Sequence, residues 1–190
     1  ITVNGTVNGG LPIASNFVAV NGTTYTFNVL RGSSDGTVSV SIAASKANDA
    51  ATNQNVASNK YTITINTVTP AVGLLSSTAS SGSTTNALTL SYTTIFTLPV
   101  INFTSSDILV TGSANGGGPI VSNFVPVSTT VYTFNVLRGS SDGTVNVTIP
   151  AGVATDGIGH LNTASTPYTL TIDTIIPTVS ITSSTALNGA

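Results

Sequence analysis

The stretch "YTFNVLRGSSDGTV" occurs at residues 25–38 and again, identical over fourteen residues, at 132–145. Its two copies hold both arginines of the chain, Arg31 and Arg138, and two of the six acidic residues, Asp35 and Asp142. Each copy opens as an alternation. In "TVYTFNVL" (130–137), Tyr132, Phe134 and Val136 share one face, with Thr133 and Asn135 on the other. After the loop the alternation resumes, with Val145, Val147 and Ile149 opposite Asn146 and Thr148. A period of two marks a half-buried strand. "RGSSDG" supplies turn chemistry, because Gly tolerates positive φ and Asp bonds nearby backbone. The stretch therefore predicts a β-hairpin. Arg138 and Asp142 stand at opposite ends of its loop, placed for a surface ion pair worth about 0–1 kcal/mol.

The repetition extends well beyond the loop. Shifted by 107 residues, the sequence aligns with itself without a gap: Ile1 falls on Ile108, Phe17 on Phe124, Tyr61 on Tyr168, Pro70 on Pro177 and Ala79 on Ala186. More than half of the overlapping positions are identical. Solenoid units run to about 20–50 residues; this period is that of a whole small domain with its own core. Residues 84–107 appear once, so the chain holds less than two periods.

"PYTLTID" (167–173) alternates as well, and 71–76, 87–95, 107–112 and 120–127 are further candidate strands. Clusters of Gly, Asn, Ser and Pro separate them, as in "SSGSTTN", "SANGGGP" and "DGIGHLN". No segment has a helical period. About seven short strands in about 105 residues predict an all-β chain of tandem immunoglobulin-like antiparallel β-sandwiches. The expected core sets are Tyr25, Phe27, Val29, Val38, Val40 and Ile42, and their counterparts Tyr132, Phe134, Val136, Val145, Val147 and Ile149.

Composition narrows the role. The 190 residues carry a formal net charge of −2, only 5% are charged, every acid is Asp, and Cys, Met and Trp are absent. An average domain is about a quarter charged, so this surface is built from Thr, Ser, Asn and Gly. No apolar run approaches the roughly 18 residues of a membrane helix, so no membrane insertion is expected. No basic tract exists to neutralise phosphates, so nucleic acid is not an expected partner. Without Cys there is no disulfide framework. The start "ITVNGTVNGG" is neither a Met nor a signal peptide, and a piece of a longer or processed chain is expected.

"FTSSDILVTG" (103–112), "DGTVNVTIPAG" (142–152), "ATDGIGHLNTAS" (154–165) and "YTLTIDTIIPTVSI" (168–181) together resemble the bacterial immunoglobulin-like tandem repeats of giant cell-surface adhesins, of the biofilm-associated and gliding-adhesin type. The resemblance spans nearly the whole chain. It departs at "TLPV" (97–100), where the family often has a Glu, and at "NTVTP" (66–70), where Asn66 stands at the position of Asp173. Family units usually begin after "DT..P". That phase implies a first repeat, 1–68, lacking its first strands, a complete repeat at 69–175, and the first strand of a following repeat at 176–190. The resemblance also implies an extracellular, bacterial cell-surface location and a structural role. The implied partners are neighbouring repeats or further copies in a filament, with surface glycans for a binding tip.

Related arrays often bind calcium at their junctions. The resemblance makes Asp156 and Asp173 the candidate ligands, although calcium wants six to eight oxygens and the acid content is thin. No cofactor is required. His160 lies four residues after Asp156, but it aligns with Asn53 in the other copy, and a Ser-His-Asp mechanism needs a positioned nucleophile and an oxyanion hole. No enzyme is expected. Isopeptide cross-links need Lys, and the only lysines are Lys46 and Lys60, outside the complete repeat.

Two structural mechanisms compete at this level. A passive stalk completes each domain from its own chain. A filament pairs exposed edges between chains, and this chain has almost none of the charge that discourages edge pairing. Residues 177–190 match one missing strand of the first repeat and are a candidate for strand addition. The alternative is a glycan- or host-binding module, for which the loop "SANGGGP" (113–119) is the best candidate.

Overall fold

The computed structural model describes residues 1–7, 12–114 and 119–185. The chain divides into two compact units, Ile1–Val68 and Thr69–Ala190. The first contains β1 (Thr2–Gly5), β2 (Ile13–Ala19), β3 (Tyr25–Leu30), β4 (Gly36–Ser41) and β5 (Tyr61–Ile65). The second contains β6 (Val72–Ser76), β7 (Thr84–Thr85), β8 (Thr89–Phe96), β9 (Leu109–Thr111), β10 (Ile120–Pro126), β11 (Val131–Leu137), β12 (Gly143–Thr148) and β13 (Tyr168–Ile172). One 3-10 turn, Ser105–Asp107, is the helical element among the described residues.

The second unit is an all-β sandwich of two four-stranded sheets. One sheet has the order β10-β11-β8-β6 and is antiparallel throughout. The other has the order β7-β13-β12-β9, with β7 parallel to β13 and the remaining pairs antiparallel. The alternating residues of both sheets meet in one core, built from Leu90, Tyr92 and Phe96 of β8, Phe134 and Val136 of β11, Val145 and Val147 of β12, and Leu170 and Ile172 of β13. Tyr92 stacks on Phe134 within its sheet at 5.3 Å and meets Tyr168 of the opposite sheet edge-on at 5.5 Å. Burial, followed by the proximity of Tyr168, pushes the Tyr92 hydroxyl well above its ordinary pKa.

The quoted stretch is not a hairpin. β11 pairs with β10 and β8, whereas β12 pairs with β13 and β9, so "RGSSDG" (138–143) carries the chain from one sheet to the other. The strands on either side of it face each other across the core. Alternation tells which face of a strand is buried but not which strand lies beside it, and the same pattern serves both arrangements. Nor do Arg138 and Asp142 pair: among the described residues the one ion pair is His160–Asp156.

The first unit repeats these strands at the same offset. β1 to β5 correspond to β9 to β13, each 107 residues earlier. Even the irregularities recur. The register of β2 on β3 shifts between Ser15 and Val18, and that of β10 on β11 between Ser122 and Val125. Asn16 and Asn123 sit inside these bulges at φ 52° and 49°, a left-handed conformation that Asn tolerates better than most residues. Two glycines allow the close crossing of β9 and β12: a Cβ on Gly112 would overlap the Thr144 carbonyl oxygen, and one on Gly143, at φ 142°, would lie 2.6 Å from Ser113 Oγ.

The units differ in what covers them. On the 107-residue offset, the counterparts of β6, β7 and β8 would precede Ile1. β2 and β3 form a two-stranded sheet, and β1, β4 and β5 a three-stranded one. Of the two expected core sets, the second is buried throughout, while the first is mostly not: Tyr132 is 5% exposed and Tyr25 50%. Among the described residues β3 pairs with β2 alone, whereas its counterpart β11 is also covered by β8.

Candidate functional site

Among the described residues the clearest uncovered feature is the inner face of the first unit. Phe27 and Val29 of β3, Val38 and Val40 of β4, and Ile63 and Ile65 of β5 line an apolar groove of about 470 Å³. Arg31, Ser41, Ile42, Ser58, Asn59 and Tyr61 complete its rim. Each apolar member has a counterpart in the closed core of the second unit. Ile63 is 46% exposed where Leu170 is fully buried. A second hollow of about 490 Å³ opens beside it between Phe17, Tyr25, Phe27 and Ile42. Phe17 and Tyr25 stack at 5.4 Å, as Phe124 and Tyr132 do at 5.8 Å. In the second unit Phe96 and Phe103 close on Tyr132 edge-on at 5.9 and 5.0 Å.

The repeated polar loop holds the two sheets together. Asp142 Oδ1 accepts bonds from the Thr174 amide at 2.9 Å and its hydroxyl at 2.6 Å. Asp35 accepts the same pair from Thr67 at 2.7 and 2.6 Å. The loop's aspartate thus anchors the chain just after the last strand of its unit. Its arginine reaches the other way. Arg138 donates from Nε to the Ala87 carbonyl at 2.9 Å, from Nη2 to Asn86 at 3.4 Å and from its own amide to Leu88 at 3.1 Å. These three carbonyls lead directly into β8. Arg31, in the first unit, is exposed and donates to its neighbour Gly32 at 3.1 Å.

Asp156 is an organiser of its loop. Oδ1 accepts from the amides of Ile158 at 3.0 Å and His160 at 2.9 Å, and Oδ2 bonds His160 Nδ1 at 3.0 Å. Burial works against its charge, but these bonds from His160 and Ile158 outweigh it and hold the carboxyl below its ordinary pKa. Asp49 is built alike. It accepts from Ala51 and Asn53 amides at 2.9 Å, and Asn53 Nδ2 takes the place of the His160 ring at 2.9 Å. The Asn53 side-chain bond is the main cause of its lowered pKa. His160 therefore closes a loop in the way an asparagine does. Asp173 receives the Ile175 amide at 3.0 Å and lines a shallow hollow with Asn86 and Pro177. Among the described residues no three His, Cys, Asp or Glu side chains gather in a group able to hold a metal.

Reasoning from the sequence missed Asn55 and Asn162. Asn162, 2% exposed, accepts from the Val153 and Ala154 amides at 2.9 and 2.8 Å and donates to the Pro150 and Thr163 carbonyls at 2.9 and 2.8 Å. Asn55 makes the matching four bonds. Its signal was present as an identity between the two copies. The loop 113–119, the candidate for glycan binding, lies mostly outside the described residues, as does the end of 177–190. Compared with known protein families and with curated proteins, the chain matches none.

Proposed function

We propose that the chain is a structural segment of a long extracellular bacterial surface protein, an adhesin or surface filament, which extends or assembles through tandem immunoglobulin-like sandwiches. The observation that carries this reading is the repetition of five strands at one offset, together with their internal clamps. Asp35 and Asp142, Asp49 and Asp156, and Asn55 and Asn162 all bind backbone of their own unit. A chain this poor in charge uses its polar groups in duplicate to fix loops. Strand order adds support: β6-β8-β11-β10 against β9-β12-β13 follows the ABED and CFG order of an immunoglobulin constant-type sandwich. The all-β fold on its own names no function.

The test is location and mechanical role together. Antibodies raised against the purified chain are applied to intact cells of the source organism, and the gene is deleted. Surface labelling lost on protease shaving, with reduced cell attachment or cell–cell cohesion in the deletion strain, is the expected result. Labelling only after lysis, or unchanged attachment and cohesion, overturns the proposal.

A further inference from the structure

We infer that the second unit is built to bear tension along the chain, with the parallel pairing of β7 on β13 as the clamp that carries it in shear. The inference deepens the structural reading above and rests on it, since a tandem surface chain is loaded end to end.

Among the described strand pairs of the second unit, β7 on β13 is the parallel one. It joins the start of the unit to its end, and the pairing runs further than the two strands themselves. The Thr163 amide donates to the Pro70 carbonyl at 2.9 Å, and Tyr168 Oη donates to the Ala79 carbonyl at 2.6 Å. The Gly82 amide donates to the Thr169 carbonyl at 2.7 Å, the Thr171 amide to Ser83 at 2.9 Å and the Asp173 amide to Thr85 at 3.2 Å. The Thr169 amide adds a bond to Ser81 Oγ at 3.1 Å. Partners advance together in number, so residues 70–85 lie alongside 163–173 in one direction.

That direction decides how force acts. The chain enters the ladder at Pro70 and leaves it at Asp173, at opposite ends. Tension between those ends slides one segment along the other. Bonds of a parallel ladder are evenly spaced, so they resist the slide together. Two strands loaded at ends that lie side by side would instead open one bond at a time. The chain continues on both sides of this ladder, with the first unit ahead of Thr69 and residues 174–190 after β13. Tension along the chain therefore passes through it.

The Arg138 loop is an independent pointer to the same role. Arg138 holds the carbonyls of Asn86, Ala87 and Leu88, where the chain leaves β7. Asp142, in the same loop, holds Thr174, where the chain leaves β13. One short loop thus grips both strands at the end where tension leaves the unit. Toward the other end, Tyr168 packs edge-on against the core ring of Tyr92 while its hydroxyl holds Ala79.

The experiment pulls on the full chain in optical tweezers, through handles on pairs of introduced cysteines; the chain has no cysteine of its own. Thr69→Cys with Ile175→Cys loads the ladder from opposite ends. Leu88→Cys with Ile175→Cys loads it from one end, that of Thr85 and Asp173. These positions are exposed, so the fold is kept, and neither pair puts the first unit under load. Expected is a rupture force about twofold higher or more for the first pair, because bonds that share a load fail together and forced unfolding follows the unfolding rate. The first pair should release its chain in one step, up to about 360 Å at the extended limit of about 3.3–3.6 Å per residue. Tyr168→Phe keeps the ring and loses the Ala79 bond. It should lower the force for the first pair and leave that for the second unchanged, because the second opens from the far end. Forces that are equal or reversed, release of the first pair in successive small steps, or a Tyr168→Phe effect that is nil or equal in both geometries each overturns the inference. These readings are made on purified protein and are independent of its location in the cell, so failure here and failure of the proposed function are separate results.

Discussion

Asp142 and Thr174 are joined twice through a single carboxylate oxygen, at 2.9 Å to the amide and 2.6 Å to the hydroxyl, across 32 residues of chain. The pair ties the loop between the sheets to the chain leaving β13. Asp142→Ala removes both bonds and should cost the second unit about 1.5–3 kcal/mol, the range for hydrogen bonds to a charged group. Thr174→Val removes one and should cost less. Chemical denaturation followed by circular dichroism, with NMR peaks to separate the units, measures both. Equal stability of Asp142→Ala and the parent would show that the loop is held by something else.

The repeat provides its own control for core packing. Phe134 is 1% exposed in the closed sandwich, whereas Phe27, at the same position of an identical strand, is half-buried beside the open groove. Phe134→Ala should cost about 3–5 kcal/mol, the usual scale for a large core residue. Phe27→Ala should cost well under half as much, because Phe27 already borders an open groove and its truncation leaves no closed cavity. Hydrogen exchange in each unit reports the two values from one chain. Similar losses would mean that the groove of the first unit is covered in solution.

Alternation and self-alignment made much of the fold legible. The candidate strands 71–76, 87–95, 107–112, 120–127 and 167–173 overlap β6, β8, β9, β10 and β13. Periodicity reports the buried face of each strand directly, and so the second core set was readable. It says nothing of strand partners, which is why the Arg138 loop read as a hairpin when it crosses between sheets. The role of Arg138 was not readable either. Its partners are backbone carbonyls about fifty residues back, and a carbonyl has no sequence signature. His160 was the opposite case. Its alignment with Asn53 already pointed to a loop role, and the bonds to Asp156 and Asp49 are alike.

That likeness can be tested by exchange. Nδ1 of His160 and Nδ2 of Asn53 reach equivalent carboxylate oxygens at 3.0 and 2.9 Å. His160→Asn should therefore change the stability of the second unit by less than about 0.5 kcal/mol, as for substitutions that keep local contacts. His160→Ala removes the side-chain bond and should cost about 1 kcal/mol. A larger loss in His160→Asn than in His160→Ala would show that the ring does something an amide cannot.

Acid should loosen the loops that Asp49 and Asp156 organise. Both carboxyls lie below the ordinary value of 3.8 in the folded chain, so the folded state binds protons more weakly than the unfolded one. The stability they contribute is present in full above the ordinary value and is lost as pH falls through the lower folded values. These two groups should thus leave stability flat from about pH 8 to 5 and lower it below about pH 4. Amide exchange of Ile158 and His160, corrected for intrinsic rates, follows the change. Loosening that begins near pH 6 would assign it to another group.

The last prediction concerns completing the first unit in cis. Asp107 directly precedes Ile108, and Ile108 aligns with Ile1. A copy of residues 70–107 joined ahead of Ile1 would therefore reproduce the natural connection and bring a β6, a β7 and a β8 to the open face. The added β8 would cover Phe27 and Val29, and its lead-in carbonyls would meet Arg31. Apolar burial is worth about 25 cal/mol per Å², and a whole inner face is at stake, so unfolding of the first unit should move to clearly higher temperature and become cooperative. Protection should appear at β3 amides, with Tyr25 passing from exposed to buried as its counterpart Tyr132 is. An added segment that stays unprotected while β3 remains open would mean that identical strands have edges that are not equivalent.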